Sequence, residues 1–260
     1  MGVFNAFYYN GVSSLEMGIR IERKNILNSP APILKEYQIP GRNGTVFQFE
    51  GYENARVEYE TFLKVPEERD IEIFVKSLKS WLLRSPGEYF RLEDDFDLEH
   101  YRMAAYTEGL EIDQSWKRFT RQTAVFSCKP FRYLKDGDML LPGEMSESLE
   151  IYNPTEFCAL PRISVYLGQQ GVSSVEITVQ YEDGESGVYN LTGIPASIRG
   201  TDITIDSDAQ TVISSGMPGN QVVPSAVLTD FPVLKPGKNT VAVNASGISG
   251  WGIAPRWWEL

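Results

Sequence analysis

Histidine and cysteine are almost missing from this chain. Among 260 residues there is one histidine, His100, and there are two cysteines, Cys128 and Cys158. A Ser-His-Asp or Cys-His centre needs a positioned base, and only His100 is on offer. Its surroundings, Asp97-Leu98-Glu99-His100-Tyr101, hold neither a nucleophile elbow nor a catalytic-cysteine signature, so it reads as a surface or edge residue. A structural zinc site wants several nitrogen or sulfur ligands. The cysteines match no metal or redox spacing, so both read as small buried hydrophobes, and no metal or cofactor is expected.

Positive charge is also scarce. Lys and Arg total 24 against 35 Asp and Glu, a net charge of −11. That argues against nucleic-acid binding, which wants a basic face. No apolar run approaches the roughly 20 residues that span a bilayer. The opening Met1–Asn10 has neither a basic n-region nor a long apolar h-region, so synthesis in a cytosol without a signal peptide is expected. Heptads, repeats and low-complexity tracts are absent. Gly41-Arg42-Asn43-Gly44 lacks the Lys-Ser/Thr of a phosphate loop and precedes a strand rather than a helix. Glu93-Asp94-Asp95-Phe96-Asp97 lacks the EF-hand pattern and reads as a solvated turn, and Asp206-Ser207-Asp208 as a polar hairpin turn. With no catalytic constellation to assemble, an enzyme is not expected.

What is present is strand. Phe4–Tyr9, Ile19–Ile26, Thr45–Phe49, Val57–Val65, Ala104–Ile112 and Phe119–Cys128 carry the composition and alternation of strands. In Thr45–Phe49, Phe47 and Phe49 share one face while Val46 and Gln48 share the other. Asn10-Gly11, Pro40-Gly41 and Asn43-Gly44 punctuate them as turns. One helix is predicted from about Pro66 to Arg84, on the apolar stripe Ile71, Phe74, Val75, Leu78 and Leu82, stopped by Ser85-Pro86-Gly87.

The turn-rich Asp136–Glu147 marks a boundary. Residues 1–135 hold 19 basic and 20 acidic residues, a net of −1; residues 136–260 hold 5 and 15, a net of −10. Two domains with different neighbours are expected, 1–136 and 137–260. The second half has no convincing helix. Its short strands are Leu149–Asn153, Arg162–Leu167, Val175–Tyr181, Val188–Leu191, Ile203–Ile205, Thr211–Ser214, Thr240–Val243 and Trp251–Trp257, the pattern of a β-sandwich. The fold class is therefore mainly β with one α-helix. Near the C-terminus, Trp251 and Trp258 are candidates for stacking on sugar rings; filling the sandwich core or rim is the other reading. For one of Trp257 and Trp258 the core is nearly forced, since neighbours on a strand face opposite ways.

Four segments in order resemble the siphophage distal tail protein (Dit) family. They are Phe7-Tyr8-Tyr9-Asn10-Gly11-Val12-Ser13-Ser14, Ile39-Pro40-Gly41-Arg42-Asn43-Gly44-Thr45, Val125-Phe126-Ser127-Cys128-Lys129-Pro130-Phe131-Arg132-Tyr133 and Ile253-Ala254-Pro255-Arg256-Trp257-Trp258. Residues 1–135 carry most of the likeness. The resemblance implies an N-terminal β-sandwich with a helix and an extended hairpin, or belt, and a C-terminal jelly-roll or galectin-like sandwich. It implies a homo-hexameric ring in a phage or prophage-derived tail tip, meeting the tail-tube protein on one face and the tail-associated hub protein on the other. The C-terminal domain would carry a receptor-binding protein or contact a host glycan. Pro40, Gly41, Arg42, Asn43 and Gly44 are the candidate ring or partner contacts, on the arm Ser29–Gly44.

Overall fold

The structure is a computed structural model that describes residues 5–109, 118–144 and 147–260. The chain divides into two compact units, the first running to Arg132 and the second Tyr133–Glu259. The expected strand start at Phe4 and the end of the expected Ala104–Ile112 strand lie outside the described residues.

In the first unit the elements are β1 (Phe7–Tyr9), β2 (Val12–Ser13), β3 (Ile19–Asn25), β4 (Pro32–Gln38), β5 (Thr45–Tyr52), β6 (Ala55–Lys64), α1 (Ile71–Leu83), β7 (Phe90–Asp94), β8 (Asp97–Tyr106) and β9 (Phe119–Leu134). The main sheet runs β2-β1-β7-β8-β9-β6-β3. Alternation sets its inner face: along β6, Ala55, Val57, Tyr59, Thr61 and Leu63 are buried while Arg56, Glu60 and Lys64 are exposed. Four strand-to-strand steps separate β1 from β6. In a flat sheet that is about 19 Å. Yet the rings of Phe7 on β1 and Tyr59 on β6 stack with centroids 5.1 Å apart. The sheet therefore curls until its two halves face each other, and one sheet makes a sandwich-like core. Phe126 and Trp81 also contact Phe7, at 5.5 and 5.8 Å.

The helix covers this core with Phe74, Leu78 and Leu82. It begins later than the sequence predicts. Asp70 is the N-cap, its carboxylate accepting from the N–H groups of Glu72 at 2.9 Å and Ile73 at 3.1 Å. Pro66–Arg69 is a turn, closed by the Arg69 N–H on the Pro66 carbonyl at 3.2 Å. The capping carboxylate, not the proline, fixes the start.

The second unit adds β10 (Leu141–Gly143), β11 (Ser148–Asn153), β12 (Arg162–Leu167), β13 (Ser174–Tyr181), β14 (Ser186–Thr192), β15 (Asp202–Asp206), β16 (Thr211–Ser214), β17 (Val227–Leu228), β18 (Gly237–Asn244), β19 (Ile248–Ala254) and β20 (Trp258–Glu259). Two five-stranded sheets, β10-β19-β12-β15-β16 and β11-β18-β13-β14-β17, form a sandwich. Ile163, Val165, Ile203 and Ile205 from one sheet and Ile177, Val179, Val241 and Val243 from the other fill a single core. The expected continuous strand Trp251–Trp257 breaks at Pro255-Arg256, where Arg256 takes a left-handed backbone with φ 57°. Cys128 is buried as expected, and burial pushes its thiol up to about 12. Cys158 is exposed, contrary to expectation, in the short segment between β11 and β12 where no sheet covers it.

Arg256 closes the sandwich. Its guanidinium donates to both carboxylate oxygens of Asp206, at 2.7 and 3.1 Å, and to the Leu160 carbonyl at 2.8 and 2.9 Å. Burial alone would raise the Asp206 carboxyl. The Arg256 hydrogen bonds and those from the Ala209 and Asp208 N–H groups outweigh it and hold the group below the ordinary carboxylate value. A carboxyl depressed in the folded state contributes stability above its unfolded pKa, about 3.9, and loses it as pH falls through the lower folded value. The melting temperature of this unit is therefore expected to fall between about pH 5 and pH 2, and Arg256→Met to flatten that slope. Melting curves of the variant that track the wild type across this range would refute the assignment.

Candidate functional site

The sheet β4-β5 stands apart from the two cores as a separate two-stranded hairpin. Its register runs from Pro32 opposite Tyr52 to Gln38 opposite Thr45, with a bulge at Ile33/Leu34. At its base Tyr52 sits edge-on to Phe131, with ring centroids 6.0 Å apart, and the Glu53 N–H donates to the Ala31 carbonyl at 2.8 Å. At its tip lie the predicted contact residues Pro40, Gly41, Arg42, Asn43 and Gly44, all exposed. Gly41 and Gly44 have φ of 81° and 88°, a region open to glycine that a side chain would strain.

The hairpin is unusual for what it leaves in water. Every residue of β4 is exposed. Phe47 is 57% exposed and Phe49 55%, and Ile33, Leu34, Tyr37 and Ile39 are exposed as well. The register puts Leu34 opposite Phe49 and Glu36 opposite Phe47, so Leu34, Phe47, Phe49 and Glu36 share one face. Ile33, Tyr37 and Val46 lie on the other. An isolated two-stranded hairpin is marginal in water. One with apolar side chains on both faces and two open edges is a binding or aggregation element.

The tryptophan candidates fall elsewhere. Trp251 is 2% exposed, and its indole N–H donates to the Glu144 carbonyl at 3.2 Å. It is a core residue and cannot stack on a sugar, because both ring faces are covered. Trp258 is half-buried, with its ring stacked on Phe157 at 4.7 Å. Trp257 is the buried member of the pair. The structure therefore does not bring Trp251 and Trp258 into one open platform.

The acidic turn after β7 has more structure than a solvated run. Asp94 is buried; its carboxylate accepts from the Tyr59 hydroxyl at 2.9 Å and from the N–H groups of Phe96 and Asp97 at 2.8 and 3.0 Å. Asp97 lies 2.7 Å from His100 Nδ1 and accepts from Arg132 at 3.1 Å. Burial opposes ionisation of Asp97, but its bonds with His100 and the nearby Arg132 hold the carboxyl below its ordinary value. These groups line a cleft of about 300 Å³ together with Lys24, Leu27 and Arg102. Sequence reasoning missed this cleft, because its walls come from segments far apart in the chain.

No protein-family model matches the sequence, and no curated protein matches it. Solved structures do. The crystal structure of SPP1 Dit, described as a paradigm of the hub adsorption apparatus in phages infecting Gram-positive bacteria, aligns over 100% of both chains with a TM-score of 0.69 and 15% identity. The chain has the fold of a Dit protein. A chain of the phage P2 baseplate in its activated conformation with Ca aligns over 97% of both chains, with a TM-score of 0.60 and 8% identity. The corresponding baseplate with Sr aligns over 97% of this chain and 98% of that one, with a TM-score of 0.58 and 9% identity. The Dit fold thus accounts for both units of this chain, as the likeness spans its whole length.

Proposed function

We propose that this chain is a structural component of a phage tail tip or baseplate. The observation that carries the reading is the full-length likeness to SPP1 Dit. In this reading copies of the chain assemble into a hexameric ring that joins the tail-tube protein to the tail-associated hub protein. The protein is made in the bacterial host cytoplasm and ends in the virion tail tip. The N-terminal unit makes the ring, and the strongly acidic C-terminal unit carries a receptor-binding protein. The exposed hairpin supports self-assembly, since its six large apolar side chains need cover. Interfaces of this heterologous kind close into rings when their rotation allows it.

Light scattering coupled to size exclusion, with negative-stain images, tests the reading. Concentration-dependent assembly into closed rings, alone or with the hub protein, is expected. A chain that stays monomeric at every concentration and with that partner overturns it.

A further inference from the structure

The cleft beside the acidic turn carries two cations that its own carboxylates leave unpaired. Asp94 accepts from the Tyr59 hydroxyl and two backbone N–H groups. Asp97 is engaged by His100 and Arg132. Glu93 is paired with Arg91 at 2.5 Å. Lys24 and Arg102 remain, and among the described residues neither has a carboxylate at ion-pair distance. Arg102 is half-buried, and burial pulls its pKa down. One of its five N–H donors goes to the Ile26 carbonyl at 3.0 Å; among the described residues no other acceptor takes the rest. The Lys24 ammonium rests on the Phe96 ring, 3.5 Å from the centroid. A half-buried guanidinium with open donors is costly to the fold unless an anion meets it.

The rest of the cleft narrows the choice of anion. Leu27, Leu92 and Phe96 give it an apolar wall, and Leu27, 87% exposed, keeps the rim open. Its volume of about 300 Å³ is at the small end for ligand pockets and suits a group the size of one or two residues, not a folded partner. Glu93, Asp94 and Asp97 lie on the same walls and oppose a second negative charge on the ligand, which disfavours a phosphate dianion. A carboxylate is planar and singly charged; it matches the guanidinium fork of Arg102 and leaves the Lys24 ammonium as a second contact. We propose that this cleft is a binding site for a carboxylate carried on a short apolar group, held by Arg102 and Lys24 with its apolar part against Leu27 and Phe96. A free branched-chain acid and the last residue of a polypeptide ending in leucine share that chemistry.

Titration calorimetry of the full chain tests it, with N-acetyl-leucine, N-acetyl-leucinamide, a tetrapeptide ending in leucine and inorganic phosphate as probes. Saturable binding of N-acetyl-leucine is expected, in the millimolar range for so small a ligand. The amide, which keeps the apolar part and lacks the charge, is expected to bind at least about tenfold more weakly. Arg102→Gln is expected to weaken the acid by about tenfold or more, with circular dichroism checking that the variant is folded. Lys24 is exposed, so Lys24→Gln leaves the fold alone and is expected to weaken binding by about threefold or more. A tetrapeptide that binds more tightly than N-acetyl-leucine supports the site and assigns it to a polypeptide end; equal affinities support it as a site for the free acid. No saturable binding of either acid, an amide that binds as tightly, or a Lys24→Gln chain that binds like the wild type overturns the site. Phosphate binding more tightly than both acids overturns the carboxylate as its ligand.

Discussion

Trp251→Ala is expected to unfold the second unit at a much lower temperature while the first unit melts as before. Among the described residues Trp251 is the largest of the fully buried side chains. It points from β19 into the space between the two sheets, opposite Gly143 in register. Truncating a buried tryptophan costs about 3–5 kcal/mol, and here it also leaves the Glu144 carbonyl without its indole donor. For a unit of this size that is a drop of about 10–20 °C. The two hydrophobic cores share no residue, so the loss stays local. Gly143→Ala moves in the same direction, because a Cβ there would sit 2.0 Å from a Trp251 ring atom. Calorimetry of the full chain reads both transitions. A second transition within a few degrees of the wild type would mean that the site collapses around the cavity.

Phe47→Asp combined with Phe49→Asp is expected to abolish self-association and leave the monomer's stability nearly unchanged. The two aromatic rings contribute little to either core, since both are more than half exposed. Removing them therefore changes folding stability by no more than about 1 kcal/mol. In a subunit interface the same rings would be central anchors, and burying two carboxylates in their place costs several kcal/mol, about a hundredfold or more in association. Sedimentation or light scattering separates the two effects. Rings that persist in the double variant would move the interface away from the hairpin. A monomer that melts far below the wild type would mean that the hairpin packs on its own unit.

Much of the architecture was readable in the alternation of side chains. In the second unit the expected strands Arg162–Leu167 and Thr211–Ser214 match the structure end to end, whereas Thr240–Val243 is the inner part of a longer strand, Gly237–Asn244, and Trp251–Trp257 is displaced to Ile248–Ala254. One half of the hairpin was equally plain, because Phe47 and Phe49 repeat at period 2. Its partner Pro32–Gln38 was not readable as a strand, because Pro30, Pro32 and Pro40 are strand-breaking signals. The conflict disappears once β4 is seen as an edge strand with Pro32 at its first position, where no ladder hydrogen bond is lost. The helix start was misplaced for a similar reason. Proline and capping carboxylate are both N-terminal signals, and only hydrogen-bond geometry picks Asp70 over Pro66.

By itself the sequence determined the class: a mainly β chain with one helix, a long alternating first half, a turn-rich middle and an acidic sandwich. It also pointed to one inward member of the Trp257–Trp258 pair; Trp257 is the buried one, but it lies between β19 and β20, so strand alternation is not what buries it. The class and its pattern are local properties, set by neighbours a few residues away. Tertiary structure alone decided which apolar residues are covered. Nothing local distinguishes Trp251, sealed between two sheets, from Phe47 and Phe49, left in water on a hairpin outside both cores. It also decided the curl that brings Phe7 onto Tyr59 and the convergence of Lys24 and Arg102 on one cleft. Burial and charge pairing depend on strands distant in sequence, and only the folded chain brings those strands together.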